Sequence, residues 1–548
     1  LNGDATVTVA NGNLTVSAGG VTLNGSGLLS STGTGNVTIT AGNLTWGAGA
    51  TSAVSLSGSG ALGVGGNFTQ TATDRGAVTV GSGGMTVSGT LTNHALIQVS
   101  GSNLSVTGGG PHANGATGQI TTLVSGTQSY IGAITNGGSI TGFGLVTFNG
   151  DVSGGGTITS GTGGVTFESA YSGGALVGST AGVLTFRGNT NLGTLTPNSS
   201  TVTFSGTASP QTLNANGQAL PAVTIDKGAV GNTLRVITSD VTQTAGAALT
   251  MTACTLDLSA DTRTWTLQAA LTVGTTTVLN VGAGSLVGGQ ALTVSGTGVL
   301  THSSGTLTLS SLTHSSTAAS TLGTGTIGIS GPLAVSSGSL TQSGNGATQE
   351  VGSIAVSGGT LAWDAGNLTL AGVMSSSVNG TLNLGAKVIT GVTNLSATGA
   401  SNLTFSSGPT AMSGDLIVNT TGAVTPGTGI ITMNGNANLG ISTGLIGPLT
   451  IAATVTVSAS GAGQDTGALV VSSGSLAVAG FNFQAASATI AAPVTVGAGG
   501  IFSTVGAMTV NTGGSVAGSG TGAITAGNVL TLNGDATVTV ANGNLTVS

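Results

Sequence analysis

Short runs of alternating apolar and polar residues fill this chain and constrain its fold more than any other feature. Examples are ATVTV at 5–9, VTIT at 37–40 and TLTLS at 306–310. Gly, Asn or Ser closes each run, as in NGN at 11–13 and SGN at 343–345. Alternation with a period of two predicts short half-buried β-strands, and the closing residues predict tight turns. No stretch has the helical periodicity of an amphipathic helix.

A longer phrase recurs at irregular intervals along the chain. It reads GNLTVS at 12–17, GNVTIT at 35–40 and GNLTLAG at 366–372. Three short strands and three turns need about 20–24 residues, which is one coil of a β-solenoid, and many of the intervals are close to that length. We therefore predict an all-β chain that folds as a parallel β-solenoid. The alternative is a string of β-sandwiches, but three Trp and two Tyr are few for the cores of several sandwiches.

The composition narrows the class of protein. Charged residues are 3% of the chain against about 25% in typical domains. A hydrophobic fraction of 39% and a net charge of −7 argue against disorder. Six Lys and Arg residues cannot form a basic face, so we expect no nucleic-acid partner. No apolar run is long enough to span a bilayer, so we also expect no transmembrane helix.

The sequence LNGDATVTVANGNLTVS occurs twice, at 1–17 and at 532–548. We call it the seam segment. Either a finished protein has duplicated its edge, or the chain is one tile of an array whose period is 531 residues. Neither copy resembles a capping helix or a charged cap, so we favour the tile. We then expect 1–548 to be one continuous solenoid of about 24 coils, uncapped at both ends, with AGGVTLNGSGLLSS following Ser548.

Residues 200–268 contain the motifs TVTFSGT at 201–207, QTL at 211–213 and VTI at 223–225. On these motifs the region resembles a unit of the giant bacterial β-strand-repeat surface proteins. The GNLTV phrases are also similar to the shafts of filamentous-haemagglutinin-like exoproteins and autotransporter adhesins. The resemblance implies a secreted, right-handed β-helical stalk or fibre, extracellular or on the cell surface. It transfers no catalytic residue to this chain.

The densest group of charges lies between 226 and 263. A β-helical polysaccharide-degrading enzyme would place carboxylates on adjacent coils, and Asp240 and Asp261 have the spacing for that. The simpler interpretation makes these charges polar turn residues or exposed ion pairs such as Asp261 with Arg263. The group comprises Asp226, Lys227, Arg235, Asp240, Asp257, Asp261 and Arg263.

Few other residues suggest chemistry. His302 and His314 occur in two copies of LTHSS and are predicted to occupy equivalent turn positions, not a metal site. Cys254 is predicted to be a small core residue. We predict no catalytic, cofactor-binding or metal-binding residues and no cofactor. Asparagines in Asn-x-Ser/Thr are predicted to stabilise turns and to stack in ladders, although each is also a potential glycan acceptor; they are Asn13, Asn36, Asn43, Asn67, Asn103, Asn367, Asn394, Asn402 and Asn544.

These observations predict a structural extracellular filament or cell-surface shaft without enzymatic activity. Its partners would be neighbouring repeats along the axis, with other shafts and surface glycans as further candidates. The alternative is an adhesin stalk, which would need an exposed aromatic or charged cluster. Trp46, Trp265 and Trp363 are isolated, and we expect them to be buried or to flank coils. Two alternatives are more distant. One is a polysaccharide-degrading enzyme, and the other is an ice-binding solenoid, which scattered Thr-x-Thr pairs suggest.

Overall fold

Parallel strands stacked in successive coils form the whole described structure. This computed structural model describes residues 1–74, 76–344, 349–461 and 463–548. Those residues are all-β, without a helix, and build a β-solenoid of about 25 turns. The predicted fold class is therefore confirmed. Two compact units divide the chain, one of residues 1–269 and the other of residues 270–548.

Each full coil of the first unit contributes one strand to each of three faces. The first face contains Thr6–Val9, Leu28–Ser31, Ala53–Leu56, Val78–Val80, Leu96–Val99, Gln119–Thr122, Ser139–Gly142 and Thr157–Ser160. The second contains Leu14–Val16, Val37–Ile39, Leu62–Val64, Met85–Val87, Leu104–Val106, Gln128–Tyr130, Val146–Phe148, Val165–Phe167, Val183–Phe186, Thr201–Ser205, Val223–Asp226 and Leu249–Thr252.

The third face of this unit contains Val21–Leu23, Leu44–Trp46, Phe68–Thr69, Leu91–Asn93, His112–Asn114, Ile134–Asn136, Val152–Ser153, Gln211–Asn214, Thr233–Val236 and Cys254–Asp257. The strands Tyr171–Val177 and Thr190–Thr196 are longer and pair on both the third and the first face. A further ladder joins Ala219–Leu220, Val241–Gln243 and Thr264–Thr266.

The second unit has the same parallel stacking. One face contains Leu271–Val273, Met374–Ser376, Leu395–Gly399, Leu416–Thr420, Ala437–Ile441, Thr454–Ser460, Ser475–Val478, Pro493–Val496, Ser515–Gly518 and Thr537–Val540. Another contains Thr277–Gly282, Val299–His302, Ala319–Leu322, Ser339–Gln342, Thr360–Trp363, Thr381–Asn383, Asn402–Thr404, Val424–Thr425, Ile501–Thr504, Ala523–Ala526 and Leu545–Val547.

A third face of the second unit contains Ala365–Leu370, Ala386–Val392, Thr410–Met412, Ile431–Met433, Leu449–Ile451, Thr466–Val471, Met508–Val510 and Leu530–Leu532. Long strands serve two of these faces, with register shifts in several of them. They are Ser285–Gly296, Thr306–Ser316, Thr326–Val335, Gln349–Val356 and Asn482–Ile490.

The coil length varies more widely than the sequence predicts. Ile140 pairs with Ile158 across a short coil, whereas Val223 pairs with Leu249 across a longer one. Turns absorb the difference, because the strands that they connect keep their side-chain alternation. In Ser139–Gly142 and Leu249–Thr252 every second residue is buried. One side of each strand thus fills an apolar interior, and the other side faces outward.

Glycine is abundant because turns of neighbouring coils approach each other closely. A Cβ atom on Gly42 would overlap the carbonyl oxygen of Gly19 on the preceding coil, and one on Gly305 would overlap that of Gly284. Any side chain there would push the coils apart. The 101 glycines of the sequence are therefore in keeping with stacked turns.

Candidate functional site: the seam segment and the charged residues

The seam segment adopts the same secondary structure in both of its copies. The first copy forms the strands Thr6–Val9 and Leu14–Val16. The second forms Thr537–Val540 and Leu545–Val547, which are the same residues shifted by one period. The turn between them is closed in both copies by the same ANGN sequence. The segment therefore encodes its own coil shape in two different surroundings.

The two copies use opposite edges of the same strands. In the first copy, Thr6–Val9 pairs with Leu28–Ser31 of the following coil. In the second, Thr537–Val540 pairs with Ser515–Gly518 of the preceding coil. A β-strand has two hydrogen-bonding edges, and each copy displays a partner on one of them. One sequence is thus compatible with a parallel neighbour on either side.

The second strand of the segment repeats this arrangement. Leu14–Val16 pairs with Val37–Ile39 of the following coil, whereas Leu545–Val547 pairs with Ile524–Ala526 of the preceding one. Leu545 and Val547 are 43% and 50% exposed. Ile524 and Ala526, one coil earlier, are buried. A further coil on the open edge would cover these two apolar side chains.

Side-chain hydrogen bonds at the segment have one consistent direction. Asn24 Nδ2 donates to Asn2 Oδ1 over 2.7 Å. Asn533, the second copy of Asn2, donates through its own Nδ2 to Asn511 Oδ1 over 2.9 Å. The residue at this position can therefore accept from the following coil and donate to the preceding one. Both bonds fit in a single unbroken ladder of asparagines.

The aspartate of the segment also connects coils on both sides. The Ser26 hydroxyl donates to Asp4 from the following coil. In the other copy, the backbone N–H of Gly513 donates to Asp535 Oδ1 from the preceding coil over 2.9 Å. A carboxylate has two oxygens and several acceptor positions, so both bonds can be made at once.

The two carboxylates that the alternative of a polysaccharide-degrading enzyme would use, Asp240 and Asp261, instead connect neighbouring coils. Asp240 Oδ1 accepts from the backbone N–H of Thr264 over 2.9 Å, and Asp261 Oδ2 accepts from that of Thr238 over 3.2 Å. Each bond joins residues one coil apart. The geometry matches the simpler interpretation, in which these aspartates are polar turn residues.

The prediction of an ion pair between Asp261 and Arg263 is wrong. Within the described residues, Arg263 Nε is buried and has no hydrogen-bond partner. Arg235 Nε instead contacts Asp257 Oδ2 at 2.9 Å. Burial opposes ionisation of Asp257, but hydrogen bonds from Ser259 and Arg235 outweigh it and lower the pKa of this carboxyl. In a parallel stack each residue lies beside a residue of the adjacent coil. Residues close in sequence are therefore poor candidates for an ion pair.

Lys227 is also not a surface turn residue. Its side chain is 1% exposed, and its Nζ donates to Gln211 Oε1 over 2.7 Å. Desolvation lowers the pKa of this lysine to about 8. Its strand neighbour Asp226 is exposed and accepts from the backbone N–H of Gly228.

His302 and His314 do not occupy the predicted turn positions. Both lie in strands, Val299–His302 and Thr306–Ser316, and both are buried. His302 Nε2 lies 3.1 Å from the Gly305 carbonyl oxygen, and burial lowers the pKa of both imidazoles. In the part of the chain that the structure describes, no group of three or more His, Cys, Asp or Glu residues could hold a metal ion.

The asparagines of the Asn-x-Ser/Thr phrases connect coils, but by a different bond from the predicted ladder. Asn67 Oδ1 accepts from the backbone N–H of Thr90, and Asn402 Oδ1 from that of Ala423, both over 2.8 Å. The same bond to the next coil occurs at Asn13, Asn36, Asn43, Asn103 and Asn394.

True amide ladders occur at other asparagines, which the sequence analysis missed. Asn93 Nδ2 donates to Asn114 Oδ1, and Asn114 Nδ2 donates to Asn136 Oδ1, both over 2.8 Å. All three are buried. Their signal is the strand-ending asparagine of LTN, HAN and ITN at one-coil spacing.

The tryptophans and the cysteine occupy the interior. Trp46, Trp265 and Trp363 are at most 2% exposed, and Cys254 is buried and unpaired, as predicted. The sequence analysis missed Phe143, which is 48% exposed. It lines an open groove of about 360 Å³, together with the buried Ser160, whose hydroxyl has no partner among the described residues.

Comparison of the chain with protein-family models, curated protein sequences and solved structures gave no match. No helix in the described ranges is long and apolar enough to cross a membrane. The fold itself, with parallel coils stacked in each unit, fits a structural repeat protein.

Proposed function

We propose that this chain is a structural segment of an extracellular filament or cell-surface shaft in which parallel coils stack without interruption. The observation that carries the proposal is the pairing of the seam segment. The same sequence pairs with a following coil in one copy and with a preceding coil in the other. In a tandem array one segment would make both sets of bonds.

The side chains support a structural role. The carboxylates and asparagines considered above as catalytic residues or glycan acceptors instead accept hydrogen bonds from backbone N–H groups of adjacent coils. Asp240 and Asn402 are examples. Such bonds contribute about 1 kcal/mol each and recur along the chain. In a solenoid each coil contacts only its neighbours, so stability accumulates with length. We infer from the resemblance to surface-protein shafts that the filament is extracellular and bacterial.

Immunogold labelling of intact producing cells with antibodies against this chain tests the location. We expect gold along filaments outside the cell envelope. Isolated filaments should diffract at about 4.8 Å along their axis, which is the spacing of neighbouring strands. Labelling only in the cell interior would contradict the extracellular location, and the same reflection perpendicular to the axis would contradict the stacking direction.

A second candidate function, adhesion through a glycan, is favoured by Phe143. Sugars pack against exposed aromatic rings, and hydroxyls of Thr141, Thr159 and Thr162 line the same groove. Glycan-array binding by the intact chain that disappears in Phe143→Ala would support this function. Val505→Ala, at another exposed apolar residue, is the matched control. Equal binding by both variants would contradict it.

A further inference from the structure

Both lysines of this chain lie inside the solenoid, one in each unit. Lys227 is 1% exposed and Lys387 is fully buried. Each donates through Nζ to the side-chain oxygen of a buried glutamine, over 2.7 Å to Gln211 and over 2.8 Å to Gln349. An isolated buried charge is costly, so an amine placed this way needs a partner.

The two glutamines differ in how their amide groups are held. Gln211 Nε2 donates to the carbonyl oxygens of Phe186 and Gly188, over 3.0 and 2.6 Å. Gln349 Nε2 has no hydrogen-bond partner within the described residues. Its oxygen instead accepts a second bond, from Trp363 Nε1 over 2.6 Å. Two donors facing one atom identify that atom as the oxygen.

The site of Gln349 therefore has the groups that acyl transfer requires. The Trp363 N–H is placed to stabilise negative charge on the carbonyl oxygen when the carbon is attacked. Lys387 Nζ is the adjacent nucleophile and lies 5.9 Å from the centre of the Trp363 ring. Desolvation lowers the pKa of Lys387 to about 8, so part of the population carries the neutral, nucleophilic amine near neutral pH. The surrounding core excludes water, which would otherwise compete.

We propose that Lys387 and Gln349 join in an intramolecular isopeptide bond. Lys387 Nζ attacks Gln349 Cδ and forms a C–N bond. The bond from Cδ to Nε2 breaks, and Nε2 leaves with the proton that Nζ gives up. The products are a secondary amide and one molecule of ammonia, with no oxidant or other reactant. The bond replaces a buried amine with a neutral group and fixes two strands that lie 38 residues apart.

Lys227 provides an internal control. Its glutamine partner has an amide nitrogen held by two backbone carbonyls, so that nitrogen is not free to leave. We therefore expect Lys227 to remain an amine. The proposal is independent of whether the filament is extracellular.

Mass spectrometry of the full chain after denaturation tests the proposal. The chain should be lighter than its sequence mass by one ammonia. Trypsin cuts after free lysine and arginine, and Lys387 is the only such residue after Arg263. Residues 264–548 should therefore remain one piece, whereas the bond after Lys227 should be cut. Full mass with cleavage after Lys387 would overturn the proposal.

Two variants extend the test. Lys387→Arg cannot form the bond, so it should have its full sequence mass and be cut at position 387. Trp363→Phe keeps an aromatic ring but removes the N–H, and it should raise the fraction of chains cut at Lys387. An unchanged fraction would overturn the role of Trp363 in the step. Because the bond forms only in the folded chain, circular dichroism must show that Trp363→Phe keeps its β-structure. The mass and the cleavage of the unchanged chain test the proposal whether or not that variant folds.

Discussion

Two buried columns, one in each unit, are filled by different apolar side chains on the same kind of parallel ladder. In the first unit an aromatic column crosses five coils, and its successive ring centroids are 5.1, 5.4, 5.1 and 5.6 Å apart. Its members are Tyr130, Phe148, Phe167, Phe186 and Phe204. In the second unit an aliphatic column runs through paired strands; its members are Leu271, Leu292, Leu312, Leu333 and Ile354.

This difference shows that backbone hydrogen bonds between parallel strands set the spacing of the coils, and that different side chains can pack at that spacing. Neighbouring strands lie about 4.8 Å apart, and rings on successive coils stack close to that distance. Leucines at the same kind of position satisfy the same spacing without ring contacts. Inward positions therefore need apolar side chains of sufficient volume. The type of apolar residue is expected to change the stability of the column more than the spacing of its coils.

The largest expected effect comes from truncating the centre of each column. Phe167→Ala should destabilise its surrounding coils by about 4 kcal/mol and Leu333→Ala by about 3 kcal/mol. The excess at Phe167 reflects the loss of ring contacts with Phe148, Tyr171 and Phe186. Amide hydrogen exchange resolved along the chain measures both costs, with Phe167→Leu as the control that keeps apolar volume. A smaller cost at Phe167 than at Leu333 would contradict the contribution assigned to the aromatic column.

Polar ladders give a second, smaller contrast. Asn114→Ala would remove one hydrogen bond from Asn93 and one from Asn136 in a buried ladder, and we expect a cost of about 2 kcal/mol. Asn402→Ala in the second unit removes a bond from the backbone N–H of Ala423 and a bond to the Thr381 hydroxyl, both outside the interior, and should cost about 1 kcal/mol. Hydrogen exchange of the adjacent coils measures both changes. Equal costs for the two variants would show that burial of the asparagine ladder does not increase its contribution to stability.

Raising the pH from 8 to 9 should produce the smallest of these differences in stability between the two units. Burial lowers the pKa of Lys227 from 10.5 to about 8, so in this window the unfolded chain binds more protons and stability rises with pH. The gain in the free energy of unfolding should be less than about 1 kcal/mol in the first unit, because ionisation of Cys254 in the unfolded chain opposes part of it as the pH approaches 9. Above pH 9 it should stop, because burial raises the pKa of Cys254 from 9.0 to about 12 and that group has the opposite effect.

The second unit should not respond over the same window if Lys387 is held as an amide. Guanidinium unfolding at fixed temperature, followed separately in each unit by hydrogen exchange, measures both responses. Lys227→Met should abolish the gain in the first unit. An equal gain in the second unit would show that Lys387 titrates as a free amine.

The sequence was sufficient to predict the parallel coils but not the hydrogen-bond partners of individual residues. Alternation and turn residues report on each strand separately, so the coil architecture follows from local patterns. Partners depend on coil length, which differs between coils, as at Ile140 and Val223. The error at Arg263 and the missed burial of Lys227 have this cause. Their surroundings are formed by residues about one coil distant, which no local pattern identifies.

Continuity across the seam segment is the central claim, and a fused chain tests it most directly. Residues 1–548 would be followed by residues 18–548, so that one seam segment stands between two sets of coils. In the first copy the Leu14 amide donates to the Asn36 carbonyl of the following coil over 2.9 Å. The equivalent Leu545 amide would acquire the same partner in the fusion.

Hydrogen exchange at Leu545, compared between the single chain and the fusion, gives the decisive result. A control fusion carries Leu29→Asp and Val37→Asp in its second part, where both residues are buried in the coils that follow the seam. We predict that exchange at Leu545 slows in the fusion at least to the rate of Leu14 and stays fast in the control. Equally fast exchange at Leu545 in all three chains would contradict continuous stacking through the seam.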